Sequence, residues 1–95
     1  MDTLYCSIIG EDKEREIVLK ALAGMTPQRI KRSEIHKHCA NIGIKNPKNV
    51  IKYLLSFRHK ESENYEQILN SIGKDYLEFT DTVFKIFIRM KSDNC

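Results

Sequence analysis

Apolar and polar residues change period several times along the chain, and each change predicts an element. Leu4, Tyr5, Ile8 and Ile9 open it as a short apolar tag, readable as a strand or as an arm packed on the domain. From Glu11 the stretch EDKEREIVLKALAGM repeats Ile17, Val18, Ala21 and Leu22 at helical spacing. Its first turn is acidic, as the helix dipole favours, and Gly24 ends it. TPQRIKR, with Pro27 and Ile30, then predicts a short extended segment leading into Ser33.

The central stretch, SEIHKHCANIGIKNPKNVIKYLLSF, predicts two helices joined by a corner. Ser33 is placed to cap the first, which runs to about Ala40 with Ile35 and Cys39 at i, i+4 as its inner face. Gly43 supplies the positive φ of a sharp exit, and Ile42 and Ile44 pin the corner to a core. The second helix, about 46–58, starts with Asn46 as N-cap and Pro47 at the first helical position, where its missing N–H costs nothing. Val50, Ile51, Leu54, Leu55 and Phe57 form its buried stripe, leaving Lys48, Asn49, Lys52 and Ser56 outside. This is the helix-turn-helix pattern, whose second helix fits the major groove of DNA; the same pattern also serves as a plain structural corner.

After the polar run RHKESEN, the segment Tyr65 to Asp81 predicts a hairpin turning at Gly73-Lys74. Ile68 and Leu69 belong to its first strand, and Tyr76, Leu77 and Phe79 to its second. From Thr80 to Lys91, Val83, Phe84, Ile86, Phe87, Ile88 and Met90 cover about 200° of a helix, roughly double the stripe a surface helix buries. Such a face calls for burial on two sides, one of them a second copy or a partner meeting Phe84, Phe87 and Ile88. Phe84, Ile86, Ile88 and Met90 also alternate as a strand would, but Thr80 or Asp81 caps a helix naturally, which favours the helix.

The chain has 95 residues and a mass of 11.1 kDa, which fits one domain: an arm over 1–10, a core over 11–91 and a tail over 92–95. No apolar run approaches a membrane span, and the first residues lack the features of a signal peptide, so a cytoplasmic protein is expected. Three cysteines, Cys6, Cys39 and Cys95, are odd in number and widely spaced, which argues against a disulfide framework.

Net charge is only +3, yet it is segregated. Residues 27–60 carry nine basic side chains against Glu34 alone, whereas the segments on either side are net acidic. A solvated helical surface mixes both signs, so a basic middle third points to duplex DNA as the partner. Lys48, Asn49 and Lys52 are the candidates to face base edges, with asparagine suited to adenine. Arg29, Lys31, Arg32, Lys37 and Lys45 are the candidates to hold phosphates, joined by Lys74 at the hairpin tip.

Helix, short strand, helix, helix, hairpin, helix is the order of a winged helix-turn-helix domain, which the chain resembles over roughly residues 11–91. The resemblance implies an α+β, mainly α fold with a three-helix core, a β-hairpin wing and a C-terminal helix. Tyr76 to Arg89, YLEFTDTVFKIFIR, is similar to the wing-to-last-helix stretch of the winged-helix domain that ends many archaeal AAA/STAND-type ATPases. Phe79, Asp81, Phe84, Phe87, Ile88 and Arg89 follow that order, while Thr82 stands where the family has proline and Tyr76 lies one place further from Phe79. The segregated charge and the paired helices point to a regulator of transcription that binds DNA as a homodimer through its last helix; a winged-helix module that docks on an ATPase or another partner, without DNA binding, is the alternative. No GxxxxGK[ST] loop is present, so no ATPase activity carries over.

Catalytic chemistry finds little support. His36 and Cys39 are at i, i+3, near enough to share a metal, but no CxxC or HxxxH pair supplies the remaining ligands. Neither a Ser-His-Asp set nor a phosphate cradle is present in the sequence, so neither enzyme activity nor a cofactor is expected.

Overall fold

A computed structural model describes residues 2–25, 28–57 and 67–91, with side chains from Leu4 onward. The opening apolar tag is helical: α1 (Asp2–Ile9) buries Tyr5, Ile8 and Ile9 in the core. Positions 4, 5, 8 and 9 are two i, i+4 pairs on one helical face, whereas a strand would divide them between its two sides. The segment is thus a helix packed into the core and not a strand.

Next comes α2 (Lys13–Gly24), capped by Asp12, whose carboxylate accepts the Glu14 N–H at 2.9 Å. It packs against α1 and against every later helix of the chain. Val18, Leu19, Leu22 and Ala23 are its buried residues, while Ile17 is exposed and Ala21 only half-buried. The inner face is therefore rotated from the expected Ile17-Val18-Ala21-Leu22 stripe toward Leu19 and Ala23, because neighbours on several sides widen the covered arc.

The strands β1 (Ile30–Lys31), β2 (Leu69–Ile72) and β3 (Tyr76–Phe79) form one antiparallel sheet in the order β1-β3-β2. Ile30 stands opposite Leu77 and Leu69 opposite Phe79, all four on the core face. Lys31 pairs with Tyr76 on the outer face, as the two-residue period requires. Gly73, at φ 62°, turns the hairpin. The expected polar run from Arg58 to Asn64 and the expected start of the hairpin at Tyr65 lie outside the described residues, as does Pro27.

Between β1 and β2 lie α3 (Arg32–Asn41) and α4 (Pro47–Ser56). Ile35 and Cys39 are fully buried, as their spacing requires, and Ile51 and Leu54 anchor α4 beneath half-buried Val50, Leu55 and Phe57. Gly43, at φ 89°, makes the corner between them. Only Ile44 is pinned there; its N–H donates to the Cys39 carbonyl at 2.9 Å while Ile42 faces solvent. Ser33 does not cap α3. The helix starts one residue earlier, and its first N–H, that of Arg32, donates to the Asp75 carbonyl at 2.8 Å.

The last described element, α5 (Thr82–Met90), is a helix; Asp81 accepts the Val83 N–H at 2.8 Å and the Phe84 N–H at 3.4 Å. Phe87 meets Tyr5 of α1 edge-on at 6.3 Å and stacks on Phe84 at 6.1 Å. Two side chains cross-cap the packed helices α2 and α5. Lys20 donates to the Lys91 carbonyl at 2.9 Å, and Arg89 donates to the Ala23 carbonyl and, at 3.2 Å, to that of Met25. The whole is an α+β fold, mainly helical, and among the described residues no helix is long and apolar enough to cross a membrane.

Candidate nucleic-acid interface

Helical phase decides which of the basic side chains meet. On α3, Ile35 and Cys39 point inward, so Arg32 and His36, one turn apart, fall on the flank beside them. On α4, Ile51 and Leu54 point inward, which turns Lys48, Lys52 and Leu55 to the flank that approaches α3. The two flanks enclose a surface recess of about 290 Å³ lined by Arg32, His36, Lys48, Ile51, Lys52 and Leu55. Three permanent cations and a histidine thus share one recess with an apolar floor. Asn49 and Ser56 stand exposed on the outer side of α4.

The hairpin turn is tied to the same place. Besides the backbone bond from Arg32 to Asp75, the Arg32 guanidinium donates through Nη2 to the Ser71 hydroxyl, which in turn donates to the Gly73 carbonyl at 3.0 Å. Arg32 Nε is shut off from solvent without a hydrogen-bond partner, a buried donor left open beside the recess. Lys74 is exposed at the tip of this turn, and Lys37 and Lys45 are exposed on α3 and in the corner.

Two of the expected phosphate contacts stand apart. Arg29 Nε lies 3.7 Å from the Glu78 carboxylate, which also accepts from Gln28 Nε2 at 3.0 Å, so its charge is partly answered within the chain. Lys31 projects from the outer sheet face opposite Tyr76. Arg15 was not among the expected site residues; its guanidinium lies 3.7 Å over the Tyr53 ring and joins α2 to α4 behind the recess.

The expected partner face on α5 needs correction. Phe84 and Ile88 are buried in the chain's own core, so these two cannot meet a second molecule without unpacking, while Phe87 is half-buried against Tyr5. The apolar residues left outward are Val83, Ile86 and Met90, at 57%, 53% and 81% exposure. The apolar arc is as wide as its sequence indicates, but the part turned outward is the other one.

Among the described residues no three histidine, cysteine, aspartate or glutamate side chains come together as a metal site. Cys39 lies in the core, where burial pushes its thiol pKa up. Cys6 takes part in a disulfide. No family model, curated protein or solved structure matches the chain.

Proposed function

We propose that the chain is a winged helix-turn-helix protein that binds duplex DNA through α4, with the β2–β3 hairpin as its wing, in the manner of a transcriptional regulator. The observation that carries this reading is the convergence of Arg32, His36, Lys48 and Lys52 on one recess beside the exposed face of α4. The order of elements and the β1-β3-β2 sheet agree with a winged helix, and Arg32 is hydrogen-bonded to Ser71 and Asp75 of the hairpin that carries Lys74.

The division of labour follows from chemistry. Arg32, Lys48 and Lys52 neutralise phosphates. Asn49, exposed on the outer side of α4, offers the paired donor and acceptor that adenine requires. Fluorescence anisotropy of a labelled mixed-sequence duplex tests the reading. Micromolar binding that weakens steeply with salt supports it, and no retention above that of a neutral protein at low salt refutes it.

A second reading, docking of a second copy through α5, draws on the exposed Val83, Ile86 and Met90. Three side chains are a small part of the roughly 20–30 residues a side that a stable interface employs, so the basic recess has the stronger claim. Sizing chromatography checks it: a dimer dissociated by Ile86→Glu supports docking, and a monomer at every concentration removes it.

A further inference from the structure

A second recess lies away from the basic one, between α5 and the end of β3. Thr82, Lys85, Ile86 and Arg89 fall at i, i+3, i+4 and i+7 on one face of α5 and, with Gln28 and Phe79, line a space of about 220 Å³. Pockets for drug-sized ligands begin at about 300 Å³, so this one is scaled to a smaller molecule.

Its chemistry is out of balance. Lys85 is the one charged residue buried among the described residues, at 8% exposure, and its ammonium has neither a hydrogen bond nor an ion pair. What it meets is the face of Phe79, with Nζ 6.0 Å from the ring centroid, a weak substitute for an anion. The Arg89 guanidinium repels it, and Glu78, the nearest opposite charge, is already engaged by Gln28 and Arg29. Burial and this repulsion together push the Lys85 pKa down. An unanswered ammonium that opens on the recess from a buried stem, beside an arginine, an amide and a hydroxyl, is the donor set of an oxyanion site.

We propose that the Lys85 recess binds a small free oxyanion, a carboxylate or a phosphate group, which supplies this ammonium with a partner. Lys85 and Arg89 provide the charge, while the Gln28 amide and Thr82 hydroxyl orient the oxygens. The site uses no residue of the proposed DNA surface and stands whether or not that reading holds.

Titration of the whole chain with inorganic phosphate and, separately, with acetate, followed by backbone amide NMR, tests the site, with sodium chloride matching ionic strength. Saturable shifts centred on Gln28, Thr82 and Ile86 are expected from at least one anion, and the tighter of the two identifies the class. Lys85→Met should weaken binding about tenfold or more, and Lys13→Met, which removes an exposed lysine elsewhere, should leave it unchanged. The Lys85 Nζ resonance of the unaltered protein gives a readout that needs no substitution: the bound anion should raise its titration midpoint. Shifts that sodium chloride reproduces, shifts centred instead on Lys48 and Lys52, or an unmoved Nζ midpoint would each overturn the proposal.

Discussion

Arg32 is joined to Asp75 through a 2.8 Å backbone hydrogen bond, so the first turn of α3 and the hairpin turn form one connected unit. The Arg32 side chain reinforces the link through Ser71 and also lines the basic recess. Arg32→Ala should therefore act twice. Stability should fall by about 1 kcal/mol, the net value of such a hydrogen bond, in a urea unfolding curve. Affinity should fall alike for a selected sequence and for random DNA, because phosphates carry no sequence information.

Lys48 and Asn49 separate positioning from reading. Lys48→Ala should lower the slope of log affinity against log salt by about one unit, the signature of one phosphate contact. Asn49→Ala should cost about 1–3 kcal/mol on a preferred sequence and little on random DNA. Binding curves at several salt concentrations check both, and equal losses on the two DNAs for Asn49→Ala would remove its base-reading role.

Leu77 sits on the central strand with its side chain fully buried opposite Ile30. Leu77→Ala should cost about 2–5 kcal/mol, a large share of the stability of a domain this size. Ile17→Ser on the exposed side of α2 should change stability by less than about 0.5 kcal/mol. Paired denaturation curves test the contrast, which reverses if α2 packs in the phase its sequence spacing favours.

Lys85 makes stability depend on pH in a stated direction. Its folded pKa lies below the ordinary value of 10.5, so between the two values the unfolded chain binds more protons and stability rises with pH. Below the folded pKa the charged amine costs stability in full. Lys85→Met should therefore be more stable than the unaltered chain at pH 7 by an amount that shrinks toward pH 10.5, as measured by thermal melts in low-phosphate buffer. A constant difference across that range would mean that methionine gains only by packing.

Cys39 should resist thiol reagents. Burial both hides it and holds its pKa above 9.0, so little thiolate exists at neutral pH. Labelling of the peptide that carries Cys39, followed by mass spectrometry, should proceed no faster than unfolding and should accelerate with denaturant.

Much of this fold was legible because several elements carry their own punctuation. Asp81 before Val83 and Phe84, Gly43 after Asn41, Pro47 after Asn46 and Gly73 between two apolar runs each satisfy a local backbone need, so their elements lie where expected. What escaped were features set by contacts between distant segments. Ser33 reads as a cap because it is a good one, but the Asp75 carbonyl reaches the start of α3 first. The basic recess was half legible: charge segregation named its lysines, while only the packing of α3 on α4 brought Arg32 and His36 to them and left Arg29 with Glu78. The buried lysine was hidden by convention, since a lysine inside VFKIFI reads as the polar side of a helix; the signal was its place within an apolar run.

Cross-capping of α2 and α5 sets an order of events for the newborn chain. The carbonyls that close α2 wait for a guanidinium encoded 66 positions later, and the Lys20 amine reaches across 71 positions to the end of α5. The central helix is therefore completed only once α5 has been synthesised, and a ribosome paused before α5 would display an unfinished hub with its apolar flank open to whatever chaperone is nearby.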